Sequence, residues 1–162
     1  MKQYHLQNKP DREITSSAEI QDILTRGKYA VVSMCHNNEP YIVSLSYGYD
    51  VKKNSLYFHC ATKGLKLDFI KANSKVCATV IEDGGYVIDK CGHNYKTAVF
   101  WGNMKVVEDL DEKKYGMQVL LNHLEDKQSV IKQNMLATNN NHHKIEILRL
   151  DISQIHAKEA HK

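Results

Sequence analysis

The sequence contains no apolar run that approaches the roughly 20 residues a membrane-spanning helix needs. Its N-terminus also lacks the apolar core of a secretion signal, so we expect a cytoplasmic protein without a membrane partner. Several enzyme motifs are missing as well: the P-loop, the Gly-x-Gly-x-x-Gly fingerprint, His-Glu-x-x-His and a nucleophile elbow. Hydrolase and nucleoside-triphosphatase activities therefore have no local support.

The 162 residues fit one domain that can bury a core without disulfide or metal staples. We predict a single domain over residues 1–162, with its core at about 10–155 and a polar, solvated C-terminal tail. The formal net charge of +3 is mild, and Lys and Arg are interspersed with Asp and Glu. A nucleic-acid partner is therefore not expected.

The four cysteines are widely spaced and form no Cys-x-x-Cys pair, which argues against a zinc ribbon or a thioredoxin-type redox site. Three of them lie in apolar stretches and are expected to pack as small buried hydrophobic side chains: Cys35, Cys60 and Cys77. Cys91 lies in a polar stretch and is expected to be exposed. His142 and His143 fall in a polar connector, where we predict no functional metal.

Capping residues and hydrophobic spacing predict the first elements of the chain. A short helix begins after Ser16 or Ser17 and ends near Gly27. A strand then covers 29–36, and an Asn-Asn-Glu-Pro turn leads to a second strand over 41–49.

The strand at 41–49 has two different faces. One face is large and apolar or aromatic: Tyr41, Val43, Leu45, Tyr47 and Tyr49. The other is small and mostly polar: Ile42, Ser44, Ser46 and Gly48. A flat ligand such as a flavin ring would fit against the small face, whereas periodicity alone favours an ordinary half-exposed antiparallel strand.

The middle of the chain continues with a helix over 64–72, whose buried side is predicted to carry Leu65 and Phe69. A strand at 75–82 has apolar residues on both faces, as in a barrel. The stretch 83–94 is predicted to be an irregular loop.

A long strand is predicted over 95–108, with a bulge or a close ligand approach at Gly102. Asp111 is expected to cap a helix that runs to about His123. The buried side of this helix is predicted to contain three residues: Tyr115, Val119 and Leu120. A helical stretch over 125–136 and a final strand over 145–155 follow. Strands dominate without a regular βαβ pattern, which indicates an antiparallel barrel with flanking helices.

A phosphate-binding cluster is predicted where the strand at 56–61 runs into the helix at 64–72. Thr62, the backbone and side chain of Lys63, the backbone of Gly64 and the side chain of Lys66 supply donors and positive charge within five residues. A helix N-terminus is a favourable position for a phosphate, and Gly lets the backbone approach it closely. The alternative is that Lys66 is an ordinary solvated helix lysine.

These segments resemble a known family. Pro-Tyr-Ile-Val-Ser-Leu-Ser-Tyr-Gly-Tyr-Asp at 40–50 and Leu-Tyr-Phe-His-Cys-Ala-Thr-Lys-Gly-Leu-Lys-Leu-Asp at 56–68 are similar to segments of the pyridoxamine 5′-phosphate oxidase-like flavin-binding split barrels. Within that family the chain is most similar to the branch named for 5-nitroimidazole antibiotic resistance. The segments at 11–14 and 95–109 also match, so the resemblance covers roughly residues 10–155.

The resemblance implies a mainly β fold, a six-stranded antiparallel split β-barrel of the FMN-binding type with flanking helices. It implies FMN as the cofactor, with FAD held through the same end as the alternative, and a homodimer with the flavin at the subunit interface. The residues that it places at the flavin are Val43, Ser44, Leu45, Ser46, His59, Cys60, Ala61, Thr62, Lys63, Gly64, Lys66, Leu67, Trp101 and Gly102.

Two more of these positions have alternative interpretations. His59 is the candidate catalytic residue, or a hydrogen-bond donor to the flavin, or a satisfied core histidine. Trp101 taken by itself is more typical of a core or a dimer interface. The extra basic residues of the family's pyridoxal phosphate site are missing, since Arg149 is the only arginine after Arg26. Oxidation of pyridoxamine phosphate is therefore not expected.

Two functions are consistent with this sequence. The first is an FMN-dependent oxidoreductase, nitroreductase-like or flavin reductase-like, that passes electrons from a reduced nicotinamide or similar donor to a small acceptor. A nitroaromatic such as a 5-nitroimidazole is one candidate acceptor. The second is a non-catalytic flavin or haem carrier or sensor on the same barrel, because a fold does not determine a function.

Overall fold

The computed structural model describes residues 9–126, 129–130 and 145–161. A 3₁₀ turn at Pro10–Arg12 precedes the regular elements. In chain order these elements are β1 (Glu13–Ile14), α1 (Ser17–Arg26), β2 (Tyr29–His36), β3 (Glu39–Ser46), β4 (Gly48–Asp50), β5 (Ser55–Cys60), α2 (Leu65–Ala72), β6 (Lys75–Val87), β7 (Gly92–Val106), α3 (Leu110–Leu124) and β8 (Glu146–Ala160).

One antiparallel sheet contains all the described strands, in the order β3-β2-β6-β7-β8-β5-β4, with β1 added to β8. β3 and β4 lie at opposite ends of this order, yet only Tyr47 separates them along the chain. The sheet must therefore curl round until its two ends approach, without β3 and β4 pairing. The result confirms the predicted split barrel, with eight described strands of which β1 and β4 are very short.

The main core fills the inside of this curled sheet. α1 and α2 contribute to it at their buried residues, Ile23, Leu24, Leu67, Phe69 and Ile70. A second, smaller cluster lies on the outer side of β5 and β8, where α3 packs with Met117, Leu120 and Leu121. Gly48 permits this packing, because a Cβ there would lie 2.5 Å from the Cα of Leu120.

Several predicted boundaries are confirmed. Ser16 caps α1 by accepting a hydrogen bond from the Glu19 N–H, and Gly27 follows the helix. The predicted irregularity at Gly102 is a register shift between β7 and β8. It accompanies a close approach of neighbouring backbone, since a Cβ at Gly102 would collide with the carbonyl oxygen of Asp151.

The predicted loop at 83–94 is wrong, because β6 and β7 continue through it as a two-stranded hairpin. A register shift between Asp83 and Tyr86 absorbs the Gly-Gly pair. The Asp83 carboxylate accepts from the Gly85 N–H at 2.7 Å and lies 2.6 Å from His93 Nε2. This arm is mostly exposed on both faces, so its sequence lacks the alternation that signals a half-buried strand.

The predicted polar C-terminal tail is also wrong, because β8 extends to Ala160 and the ordered domain does not end near 155. Lys158 pairs with Glu13 of β1 on one side and with Thr97 of β7 on the other. Two strand neighbours supply backbone hydrogen bonds to a segment whose charged side chains suggest solvent.

Two helices differ in detail from their predictions. α3 is capped by Asp109, which accepts from the Glu112 N–H at 2.8 Å, rather than by Asp111. On α2, Leu65 is 54% exposed, whereas Leu67 and Ile70 are buried beside Phe69. α3 likewise buries Met117, Leu120 and Leu121, whereas Tyr115 and Val119 are only partly covered. In both helices the neighbouring elements decide which part of the apolar stripe is covered.

Among the cysteines, Cys60 is buried, Cys77 is half-buried and Cys91 is exposed. The expectation of a buried Cys35 is wrong, because its side chain lies on the outer face of β2. Most of the predicted helix at 125–136, together with His142 and His143, lies outside the described residues.

His123 anchors the end of α3 to the barrel. Its Nε2 donates to the Gly27 carbonyl at 2.5 Å, and its Nδ1 accepts from the Tyr49 N–H at 3.5 Å. The ring lies 4.9 Å from that of Tyr47, and Lys28 Nζ donates to the His123 carbonyl at 2.9 Å. Burial lowers the pKa of His123 and the positive charge of Lys28 adds to this effect, whereas the bond to Gly27 opposes it.

We expect this histidine to make the free energy of unfolding pH-dependent. The folded-state pKa of His123 lies below the unfolded value of about 6.5. The contribution of His123 to the free energy of unfolding is therefore complete above that unfolded value, and it is lost as the pH falls from there through the folded-state pKa. His123→Gln keeps a donor for Gly27 but does not titrate. Urea unfolding at about pH 7.5 and about pH 5.5 should therefore show a smaller pH-dependent loss in His123→Gln than in the wild type. Equal losses in the two proteins would contradict this role.

Candidate functional site

The predicted phosphate loop lies between β5 and α2. Ala61, Thr62, Lys63 and Gly64 are exposed, and Lys66 is half-buried at the first turn of the helix. Gly64 occupies the N-cap position at φ 142°, which L-amino acids with a side chain rarely adopt. It provides no side-chain cap, and a Cβ built there would meet nothing within 4 Å. The N-cap position thus borders open space, and Lys63 and Lys66 lie on either side of it in the sequence.

Lys66 lies close to the end of β5. Burial raises the pKa of the Cys60 thiol, and the nearby positive charge of Lys66 partly opposes that shift. Leu67 points into the core, and its N–H donates to the Gly64 carbonyl at 2.9 Å. The first turn of α2 is therefore anchored to the core by Leu67, while Lys66 remains partly exposed beside it.

His59 lies on β5 directly before this loop and is exposed. Its sheet partner is Ile147 of β8, and the neighbouring Phe58 and Cys60 point into the core instead. A satisfied core histidine is therefore ruled out. Its contact with a flavin or a substrate stays a prediction.

The predicted ring-binding strand, β3, is an edge strand that pairs only with β2 among the described elements. Ser44 and Ser46 are exposed on its outer face, together with Ile42, whereas Val43 and Leu45 turn toward the core. An edge strand presents unpaired N–H and C=O groups along its free side. The backbone of β3 can therefore offer hydrogen bonds to a flat polar ligand.

Trp101 lies on the same outer face of the sheet, but not beside β3. In the sheet, Trp101 pairs with Cys77 of β6, and Cys77 pairs with Ser33 of β2. Ser33 then pairs with Ile42 of β3. Three strand spacings of about 4.8 Å place Trp101 about 14 Å from β3 across the sheet. One flavin ring bound at β3 is therefore not expected to reach Trp101 of the same chain.

The outer face between these two positions is partly apolar. Three large side chains on it are more than half exposed: Tyr29 at 55%, Ile42 at 63% and Ile81 at 52%. Trp101 itself packs edge-on against His156, with ring centroids 6.1 Å apart. Sequence periodicity does not identify Tyr29, Ile81 or His156 as part of one surface, because that depends on which strands pair.

A family model described as pyridoxamine 5′-phosphate oxidase matches residues 16–159 of the chain. The chain belongs to this family. The predicted resemblance is therefore confirmed, and the match covers both β3 and the phosphate loop. No curated protein matches the chain.

Solved structures of the family's fold include three informative relatives. A proposed 5-nitroimidazole antibiotic resistance protein from Bacteroides thetaiotaomicron is 20% identical, with a TM-score of 0.77, over 91% of this chain and 86% of that one. A FAD-binding protein from Mesorhizobium loti is 22% identical, with a TM-score of 0.68, over 93% of this chain and 98% of that one. A FAD and haem binding protein from Mycobacterium smegmatis is 17% identical, with a TM-score of 0.76, over 93% of this chain and 74% of that one.

These likenesses establish the split-barrel fold. In the part of the chain that the structure describes, no helix has the length and apolar character needed to cross a membrane.

Proposed function

We propose that this protein binds a flavin and acts as an oxidoreductase, passing electrons from a reduced nicotinamide or a similar donor to a small acceptor. The observation that carries the proposal is the phosphate loop, where Thr62, Lys63 and Gly64 are exposed next to an uncapped helix and Lys66. A phosphate monoester near pH 7 carries close to two negative charges and binds such donors strongly. The family match and the FAD-binding relatives support the same ligand.

The chain offers matching groups for the rest of the flavin. Ser44 and Ser46 leave the C-terminal half of the outer face of β3 without bulky side chains, so a ring can lie close to the strand there. The free side of β3 would donate to and accept from the polar edge of that ring. The flavin, once bound, supplies the redox chemistry, and the protein supplies binding, orientation and exclusion of water.

We further propose that the active form is a homodimer with a flavin at the subunit interface. The exposed apolar side chains Tyr29, Ile42 and Ile81 form a partly apolar surface, and covering it would be favourable. Because Trp101 lies about three strands from β3 of its own chain, a second copy would be needed to bring a Trp101 to each ring.

A nitroaromatic such as a 5-nitroimidazole is the acceptor that we propose first, because a relative with this fold is described in those terms. No side-chain acid or base is obligatory for such electron transfer, and His59 is the candidate that would face the substrate. We propose no pyridoxamine phosphate oxidation for this chain. We propose that the protein works in the cytoplasm, where reduced nicotinamides are available.

A carrier or sensor is the second candidate function, favoured by a relative described as binding both FAD and haem. Anaerobic addition of reduced nicotinamide separates the two functions. Bleaching of the flavin absorbance followed by reoxidation with a nitroimidazole supports an enzyme. A bound flavin that no nicotinamide reduces supports a carrier, and a haem absorption band in the purified protein supports a haem protein.

The purified protein is expected to retain a flavin. Denaturation followed by chromatography and mass spectrometry of the supernatant should identify FMN or FAD. If the protein is purified without ligand, titration with either flavin should quench flavin fluorescence at about one flavin per chain. Absence of both signals would overturn the proposed function.

A further inference from the structure

A pocket of about 320 Å³ lies at the base of the β6–β7 arm, on the outer face of the sheet. β6, β7 and β8 supply its lining: Ile81, Asp83, His93, Tyr95, Thr97 and Lys158. Thr97 pairs with Ile81 on one side and with Lys158 on the other, so these three residues form one row across the sheet. Ile81 is exposed and Tyr95 is half-buried, so the apolar part of the pocket is accessible. Small-molecule sites combine such a surface with a few polar groups in about 300–1,000 Å³.

The negative charge of the lining is already engaged. The Asp83 carboxylate accepts from His93 Nε2 at 2.6 Å and from the Gly85 N–H at 2.7 Å. These two hydrogen bonds hold the pKa of Asp83 below its usual range. A carboxylate of this kind can only accept, so His93 carries a proton on Nε2 and its ring is held in place.

The positive charge of the lining is available to a ligand. Among the residues that the structure describes, the ammonium of Lys158 forms no ion pair, although Glu13 of β1 is its neighbour in the sheet. Lys158 Nζ lies instead 5.8 Å from the centre of the Tyr95 ring, on the side of the pocket. The lining therefore favours a ligand that carries or gains negative charge beside an aromatic ring.

The pocket lies on the same face as the strand that we propose for the flavin ring. Ser44 of β3 pairs with Val31 of β2, and Val31 pairs with Thr79 of β6. Ile81 follows Thr79 by two residues on the same face of β6. Two strand spacings of about 4.8 Å and two residues of about 3.3 Å place Ile81 about 12 Å from Ser44. Because single electrons pass between groups that do not touch, a ring on β3 and a molecule in the pocket can exchange them.

We propose that this pocket binds the electron acceptor and that Lys158 is a catalytic residue that stabilises the negative charge on the acceptor's oxygen atoms. The inference rests on the proposed oxidoreductase function. The ligand class is a planar nitroaromatic compound whose ring lies on Ile81 and Tyr95 and whose nitro oxygens accept from Lys158. With the acceptor here, His59 on β5 is left to face the electron donor.

The chemistry explains why an available cation matters at this position. Conversion of a nitro group to a nitroso group takes two electrons and two protons and releases one water. The electrons come from the reduced flavin, and the protons come from solvent, to which the pocket is open. The nitro oxygens are nearly neutral before the first electron arrives and negative afterwards. Lys158 therefore lowers the barrier to reduction more than it strengthens binding of the acceptor.

The first measurement needs no flavin. Benzoate has the shape of nitrobenzene and carries on its oxygens the charge that a nitro group gains on reduction. Titration of the full-length, flavin-free protein with benzoate should shift the NMR amide signals of Ile81, Tyr95 and Thr97. Lys158→Met should weaken benzoate binding at least about 10-fold, and Lys158→Arg, which keeps the charge, should stay within about threefold of the wild type. The matched control is Lys75→Met, which removes the same charge from an exposed position of β6 outside the lining and should change nothing.

The second measurement uses the flavin-loaded protein with nitrobenzene as the acceptor. Lys158→Met should lower kcat at least about 10-fold and change the KM for nitrobenzene by less than about threefold. Benzoate should inhibit competitively against nitrobenzene. Fluorescence quenching should show unchanged flavin binding in this variant, and circular dichroism checks that it is folded.

The possible results separate this inference from the proposed function. If the wild type binds flavin but benzoate shifts no signal of the pocket, the acceptor site is wrong while flavin binding stands. Equal losses of kcat in Lys75→Met and Lys158→Met would overturn the role of Lys158. If benzoate competes with the reduced nicotinamide and not with nitrobenzene, the pocket serves the donor and the assignment is overturned. If the wild type binds no flavin, the proposed function fails and the acceptor site fails with it.

Discussion

Replacing Lys66 by alanine is expected to weaken FMN binding by about 10- to 100-fold while the protein remains folded. One charge-assisted hydrogen bond to a phosphate contributes about 1.5–3 kcal/mol, and each 1.4 kcal/mol corresponds to about a factor of ten in Kd. Lys66 is half-buried in the first turn of α2, two residues after Gly64, so its ammonium can reach the predicted phosphate position. Fluorescence quenching measures the affinity, and far-ultraviolet circular dichroism checks the fold.

Lys71→Ala is the matched control for this measurement. Lys71 belongs to the same helix but lies in its last turn and is exposed, so FMN, which has one phosphate, should not depend on it. Equal losses of FMN affinity in the two variants would show that the phosphate site is misplaced. An unchanged affinity in Lys66→Ala would mean that Lys66 is an ordinary solvated lysine.

Trp101→Asp is expected to weaken both dimer assembly and flavin binding. A carboxylate placed in a covered apolar face would lose its hydration without gaining a partner, which is strongly unfavourable. Light scattering at low micromolar concentration should give twice the chain mass of about 18.6 kDa for the wild type and a shift toward the monomer for the variant. Titration with FMN and FAD on the same samples should show a parallel loss of affinity.

Two further variants compare a carboxylate on the proposed dimer face with one placed elsewhere on the surface. Ile42→Asp changes an exposed residue on the same outer face, so it should weaken assembly without a direct effect on the core. Leu110→Asp introduces the same carboxylate at an exposed position at the start of α3, away from that face, and should leave assembly intact. A wild-type monomer that binds flavin tightly would refute the dimer and return Trp101 to an ordinary structural role.

The local parts of the fold could be predicted because their signals lie within a few residues of one another. Ser16 and Gly27 mark the ends of α1 through a cap and a helix stop, and the register shift at Gly102 follows from a glycine inside a strand. The candidate phosphate loop could be located for the same reason, since its proposed donors from Thr62 to Lys66 lie within five residues, and the Lys66 variant tests whether they bind a phosphate.

Elements that bury little apolar surface could not be predicted in this way. The arm formed by β6 and β7 at 83–94 is mostly exposed on both sides, and the end of β8 buries only the small side chains of Ala157 and Ala160 beside half-buried charged residues. Neither has the period of two that marks a half-buried strand, and both are held by backbone hydrogen bonds to other strands.

Amino-acid order alone was enough to indicate an antiparallel barrel, its family and a candidate phosphate loop, because each depends on local spacing or on recognisable segments. The arrangement of the wider site required the folded chain. Strand order separates Trp101 from β3 by about three strand spacings, and it places Ile42, Ile81 and Trp101 on one face. Such surfaces depend on long-range strand pairing and helix packing, which hydrophobic periodicity does not specify.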